Sequence, residues 1–85
     1  MEKNCRLWSL SPGDWGQVTR VPRKEPLASR LADLGLLPGA EVQYLFPAPA
    51  GEPRAFRIRG AVVALREEDC QGIWLLPIRK DLDPK

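Results

Sequence analysis

The sequence predicts a mainly β domain, a small bent barrel of about five strands with one inserted α-helix and a short late helical turn. Short alternating apolar runs are punctuated at close intervals by Pro and Gly, and one stretch only has helical spacing. Between Arg30 and Val42 the chain also writes a helix end, a turn and a strand start without interruption.

The first punctuation is Ser11-Pro12-Gly13-Asp14, a turn signature, after which Trp15 to Val21 has the β-branched content of a first strand, closed by Pro22. Arg23, Lys24, Glu25 and Pro26 form a charged entry to the helix, where the missing N–H of Pro26 costs nothing in a first turn. Leu27, Leu31 and Leu34 recur at helical spacing, and Gly35 stands where a helix stops, because Gly enters the left-handed region without steric cost. In such a cap Leu36 folds back onto Leu31. Pro38-Gly39 fits a tight turn, and Val42, Tyr44 and Phe46 then alternate with Glu41, Gln43 and Leu45 as a second strand, with the first three on one face.

Three prolines and a glycine in residues 47–53 make an irregular connection. From Arg54 to Arg59 the pattern alternates cleanly, with Phe56 and Ile58 inward and Arg57 and Arg59 outward. Gly60 permits a reversal, Ala61 to Leu65 is a fourth strand, and Arg66 to Gln71 reads as one helical turn. Gly72 releases the chain into a fifth strand, Ile73 to Leu76, ended by Pro77. One domain is expected over residues 7–78, with residues 1–6 and 79–85 as polar, mobile tails.

Composition narrows the function. Eighty-five residues leave little volume for a core plus an enclosed active site, so a binding module is expected rather than a catalyst. Thirteen basic against 11 acidic residues, a net charge of +2, is too balanced for nonspecific duplex binding. No apolar run approaches the roughly 20 residues of a membrane-spanning helix, and the start lacks the apolar core of a secretory signal, so the expected location is the cytoplasm. The chain has no His, and its two cysteines, Cys5 and Cys70, cannot make a zinc cage. Cys70 reads as a small buried hydrophobe, Cys5 has no assigned role, and Trp8 is expected to pack over the mouth of the barrel.

The run Leu31-Ala32-Asp33-Leu34-Gly35-Leu36-Leu37-Pro38-Gly39-Ala40-Glu41-Val42, followed by Ala48-Pro49-Ala50-Gly51-Glu52-Pro53, resembles the FeoA family of ferrous-iron transport accessory proteins. The resemblance continues through Gly60-Ala61-Val62-Val63-Ala64-Leu65-Arg66 and the acidic turn Glu67-Glu68-Asp69-Cys70-Gln71-Gly72-Ile73, covering roughly Leu10 to Leu76. It implies an SH3-like barrel, where pattern alone also admits an OB-like one. It further implies a non-enzymatic adaptor acting at the cytosolic face of the FeoB membrane transporter, which carries the GTPase and the pore.

The residues themselves offer no catalytic set: Glu67, Glu68 and Asp69 are adjacent in a turn, and no Ser or Cys has a visible base. Carboxylates and one thiol without His discriminate poorly among divalent metals, so no metal ligand and no cofactor is assigned. Neither Gly13-Asp14-Trp15-Gly16 nor Leu37-Pro38-Gly39 is a phosphate-cradling loop. Two surface features remain as candidate partner-binding residues: the apolar corner of Leu36, Leu37 and Pro38, of which the cap needs only one leucine inward, and the cations Arg23, Lys24 and Arg30, with Arg20 beside them. Two alternative readings stand beside the adaptor. One is the interaction module of a metal-dependent regulator. The other is a small RNA-binding barrel, in which Arg54, Arg57 and Arg59 track a phosphate backbone.

Overall fold

A computed structural model describes residues 3–79. Its strands are β1 (Cys5–Arg6), β2 (Trp15–Arg20), β3 (Glu41–Pro47), β4 (Arg54–Ile58), β5 (Ala61–Leu65) and β6 (Trp74–Ile78). The helices are α1 (Leu27–Asp33) and α2 (Glu67–Cys70), and a 3-10 turn spans Leu7–Ser9. All strands join one antiparallel sheet in the order β1-β6-β2-β3-β4-β5.

The five expected strands are present, and a sixth, β1, lies where the sequence suggested a mobile tail. Cys5 and Arg6 pair with Leu75 and Trp74, and Thr19 Oγ1 lies 2.8 Å from Asn4 Oδ1. Polarity alone hid this strand, because an edge pairing uses backbone groups that any residue carries. Of the predicted tails, residues 1–2 and 80–85 lie outside the described residues.

The core is built from Val18, Val42, Phe56, Ile58 and Leu75 of the sheet and Ile73 just before β6, with Leu31 and Leu36 packed into the same cluster from α1 and its end. Cys70 is fully buried there, as expected of a small hydrophobe. Leu7 and Leu10, at the start of the 3-10 turn and just after it, are also buried.

Phe46 corrects the sequence reading. Strict alternation put it on the core face with Val42 and Tyr44, yet it is 58% exposed. The register slips between Tyr44, opposite Phe56, and Phe46, opposite Ala55. A bulge at Leu45 therefore reverses the alternation and turns Phe46 outward.

The strand ladder stays open between β1 and β5, and side chains bridge the two ends. The 3-10 turn packs against α2, and Arg54 Nη1 donates to the Trp8 carbonyl at 2.7 Å. The Arg54 guanidinium lies 4.3 Å from the Trp8 ring centroid and 4.8 Å from that of Tyr44. Trp8 itself packs at 6.0 Å from Phe56. The result is a small SH3-like barrel in which an aromatic and cationic clasp stands where a final strand pair would close the wall.

Candidate functional site

The corner after α1 is fixed by its own sequence. Gly35 takes a φ of 93°, and two bonds close the helix: Leu36 N–H to Leu31 O at 2.9 Å and Gly35 N–H to Ala32 O at 2.9 Å. This is the paired-bond left-handed cap, with the expected apolar contact between Leu36 and Leu31, 0% and 2% exposed. Gly39 follows with a φ of 96°, in a turn where Ala40 N–H reaches Leu37 O at 2.9 Å. Gly39 N–H to Val18 O and Val18 N–H to Ala40 O, at 2.7 and 2.8 Å, tie the turn to β2.

Of the two candidate leucines, Leu36 is sealed in the core and is unavailable to a partner, whereas Leu37 is 42% exposed. Pro38 is exposed beside it. Leu34, read from its spacing as part of the buried face of α1, is 36% exposed and joins them. The accessible apolar surface is thus Leu34, Leu37 and Pro38.

The cations are arranged differently from the expected rim. Arg23 and Lys24 are exposed in the loop before α1, at the end of the helix away from Leu37, about 10 Å of helix apart at 1.5 Å per residue. Arg30 is in the last turn of α1 and pairs with Asp69 at 3.2 Å, so it is not a free charge. The cation at the corner is one that the sequence reading placed elsewhere. A Cβ built on Gly35 falls 3.0 Å from Arg59 Cδ and 3.3 Å from Ile58 Cγ2, so the stem of Arg59 lies against the end of α1. Its positive φ of 52° marks a turn position, and no local pattern relates residue 59 to residue 35.

Arg54 also departs from expectation. It shares the parity of Phe56 and Ile58 and is held between Trp8 and Tyr44, while Arg57 and Arg59 are exposed. The three arginines therefore form no common track. Among the described residues, no group of three or more His, Cys, Asp or Glu is placed to hold a metal ion. No helix among them is long and apolar enough to cross a membrane.

The FeoA domain model matches residues 5–77 of this chain. The chain belongs to the FeoA family. It is similar to the solution structure of FeoA from Chlorobium tepidum, at 32% identity and a TM-score of 0.80 over 91% of this chain and 73% of that one. It is also similar to a FeoA of Stenotrophomonas maltophilia complexed with zinc, at 25% identity and a TM-score of 0.71 over 84% of this chain and 88% of that one. That protein is described as a prokaryotic SH3 domain protein and a candidate ferrous iron transport activating factor. A manganese-dependent transcriptional repressor in complex with manganese matches at 25% identity and a TM-score of 0.78, over 88% of this chain but 37% of the repressor. Comparison with curated protein sequences returned no match. The FeoA family is associated with ferrous iron transport, and its SH3-like fold is the one described above.

Proposed function

We propose that this FeoA domain is a non-enzymatic cytoplasmic adaptor that docks on the cytosolic part of a FeoB-like transporter and adjusts ferrous iron uptake. The observation that carries this reading is the apolar corner: Leu34 and Leu37 remain 36% and 42% exposed on a turn that backbone hydrogen bonds to α1 and β2 hold in one shape. A preordered apolar protrusion loses little conformational entropy on binding, which favours docking over a flexible contact. Arg59 beside the corner, with Arg23 and Lys24 farther along α1, supplies positive charge for encounter with an acidic patch. Regulation follows only if affinity differs between the nucleotide-driven states of the transporter, since equal affinity for both states shifts nothing.

Co-purification with the transporter's cytosolic part tests this. The wild type is retained, Leu37→Asp is lost with its fold intact, and Arg23→Glu with Lys24→Glu slows association at low salt. Retention of Leu37→Asp at the wild-type level overturns the corner as the docking surface.

The likeness to the manganese-dependent repressor supports a second reading, the interaction module of a metal-dependent regulator. Binding of a helix-turn-helix protein in place of the transporter in the same experiment selects it.

A further inference from the structure

Strand β2 also carries a bulge, and it re-aims a charged side chain. Val18 stands opposite Leu75, so a regular ladder would set Thr19 opposite Trp74, but the register slips and Arg20 takes that place. From the other side, Arg6 of β1 stands opposite the same Trp74. Bulges that direct one side chain are characteristic of functional sites. Leu75 is fully buried, so Arg6, Trp74 and Arg20 form a cross-strand row on the outer face of the sheet.

The three side chains are stacked. The guanidinium carbons of Arg6 and Arg20 lie 5.2 and 5.7 Å from the Trp74 ring centroid. The displaced Thr19 donates from Oγ1 to Asn4 Oδ1 at 2.8 Å. Because β6 lies between β1 and β2, this bond crosses over β6 and fastens β1, and with it Arg6, in place.

Charge in the row is unbalanced. Both arginines are exposed, and among the described residues neither makes an ion pair. The ladder brings no acid into the row, since Glu41 stands with Gln17 in the row beyond it. Arg23 and Lys24, both exposed, extend the positive charge past Arg20. Their loop runs beside the start of β6, where a Cβ on Gly72 falls 2.9 Å from Pro22 Cγ. Two like charges held at one ring leave an excess that an anion relieves.

We propose that the row of Arg6, Trp74 and Arg20 grips a pair of carboxylates on an acidic segment of a partner protein. The ring holds each guanidinium as a flat fork and leaves its N–H edge to an acceptor, the geometry that a carboxylate fills with two bonds. Strands β1 and β2 are two sheet spacings apart, about 10 Å, so the forks take two carboxylates of one segment and not a single small anion. A nucleic acid strand needs the ring for base stacking, and the guanidiniums already occupy it. The row shares no residue with the docking corner, so either can fail alone.

Titration of the isotope-labelled full chain with an oligo-glutamate peptide, read at the Trp74 indole N–H and the Arg6 and Arg20 Nε–H resonances, tests the proposal. The wild type shows saturable shifts at these groups with a dissociation constant of about 1 mM or tighter. Arg20→Glu weakens binding by about tenfold or more. Arg6→Lys with Arg20→Lys, which keeps both charges and loses both forks, weakens it by about threefold or more. Amide spectra establish that each variant is folded. Absence of these shifts at about 10 mM peptide overturns the proposal, as does equal binding by the lysine variant, the mark of diffuse charge attraction. Tighter binding of inorganic phosphate, an oligouridylate or anionic phospholipid vesicles at the same arginines overturns the assignment to carboxylates.

Discussion

Gly16 and Cys70 show how single positions are constrained by what surrounds them. A Cβ at Gly16 falls 2.6 Å from Leu75 Cδ1 and 2.9 Å from its Cδ2, and Leu75 is fully buried. Gly16→Ala should therefore cost about 1–3 kcal/mol of overpacking, read as a lower urea midpoint. At Cys70, burial first and then the Asp69 carboxylate oppose the thiolate, against a smaller opposite pull from Arg54, and the thiol is pushed up from 9.0 to about 12. Above the lower value the unfolded chain releases a proton that the fold retains. Stability is unaffected by this group below pH 9 and falls through the window up to pH 12, by about 1.4 kcal/mol per pH unit. The expected result is an alkaline loss that is steeper in the wild type than in Cys70→Ala, measured by denaturant unfolding at a series of pH values.

At the level of elements, the corner after α1 makes two adjacent leucines unequal. Leu36→Ala should destabilise by about 2–4 kcal/mol, because its side chain fills the core, while Leu37→Ala should change stability by less than about 0.5 kcal/mol. Thermal or urea unfolding separates the two. This corner was legible in the chain because Gly35, Pro38 and Gly39 each perform a local task that few other residues can. The hairpin of β4 and β5 was legible for the same reason, from clean alternation and Gly60. What stayed hidden depended on partners distant in sequence. The bulge at Leu45 is set by pairing with β4, and strand β1 exists only because β6 offers it an edge. The cation at the corner, Arg59, arrives there through the fold and not through any nearby pattern.

Across the whole molecule, the open ladder makes the Arg54 clasp the joint on which the barrel shape depends. Its Nη1 holds the Trp8 carbonyl, its plane contacts two rings, and its Nε is buried with no partner among the described residues. Arg54→Met keeps the bulk but loses the charge-assisted bond and both cation–ring contacts, at about 1–3 kcal/mol. Native-state hydrogen exchange should show the 3-10 turn and α2 opening before the central strands in this variant. Uniform loss of protection across the sheet would show instead that the clasp is no separate joint.

The corner after α1 has a further consequence for protein engineering. Its shape is secured by Gly35, Pro38, Gly39 and the sealed Leu36, none of which depends on which side chain stands at 34 or 37. Those two sites are a natural grafting position, where foreign recognition side chains can be displayed on a small rigid carrier without renegotiating how the carrier folds.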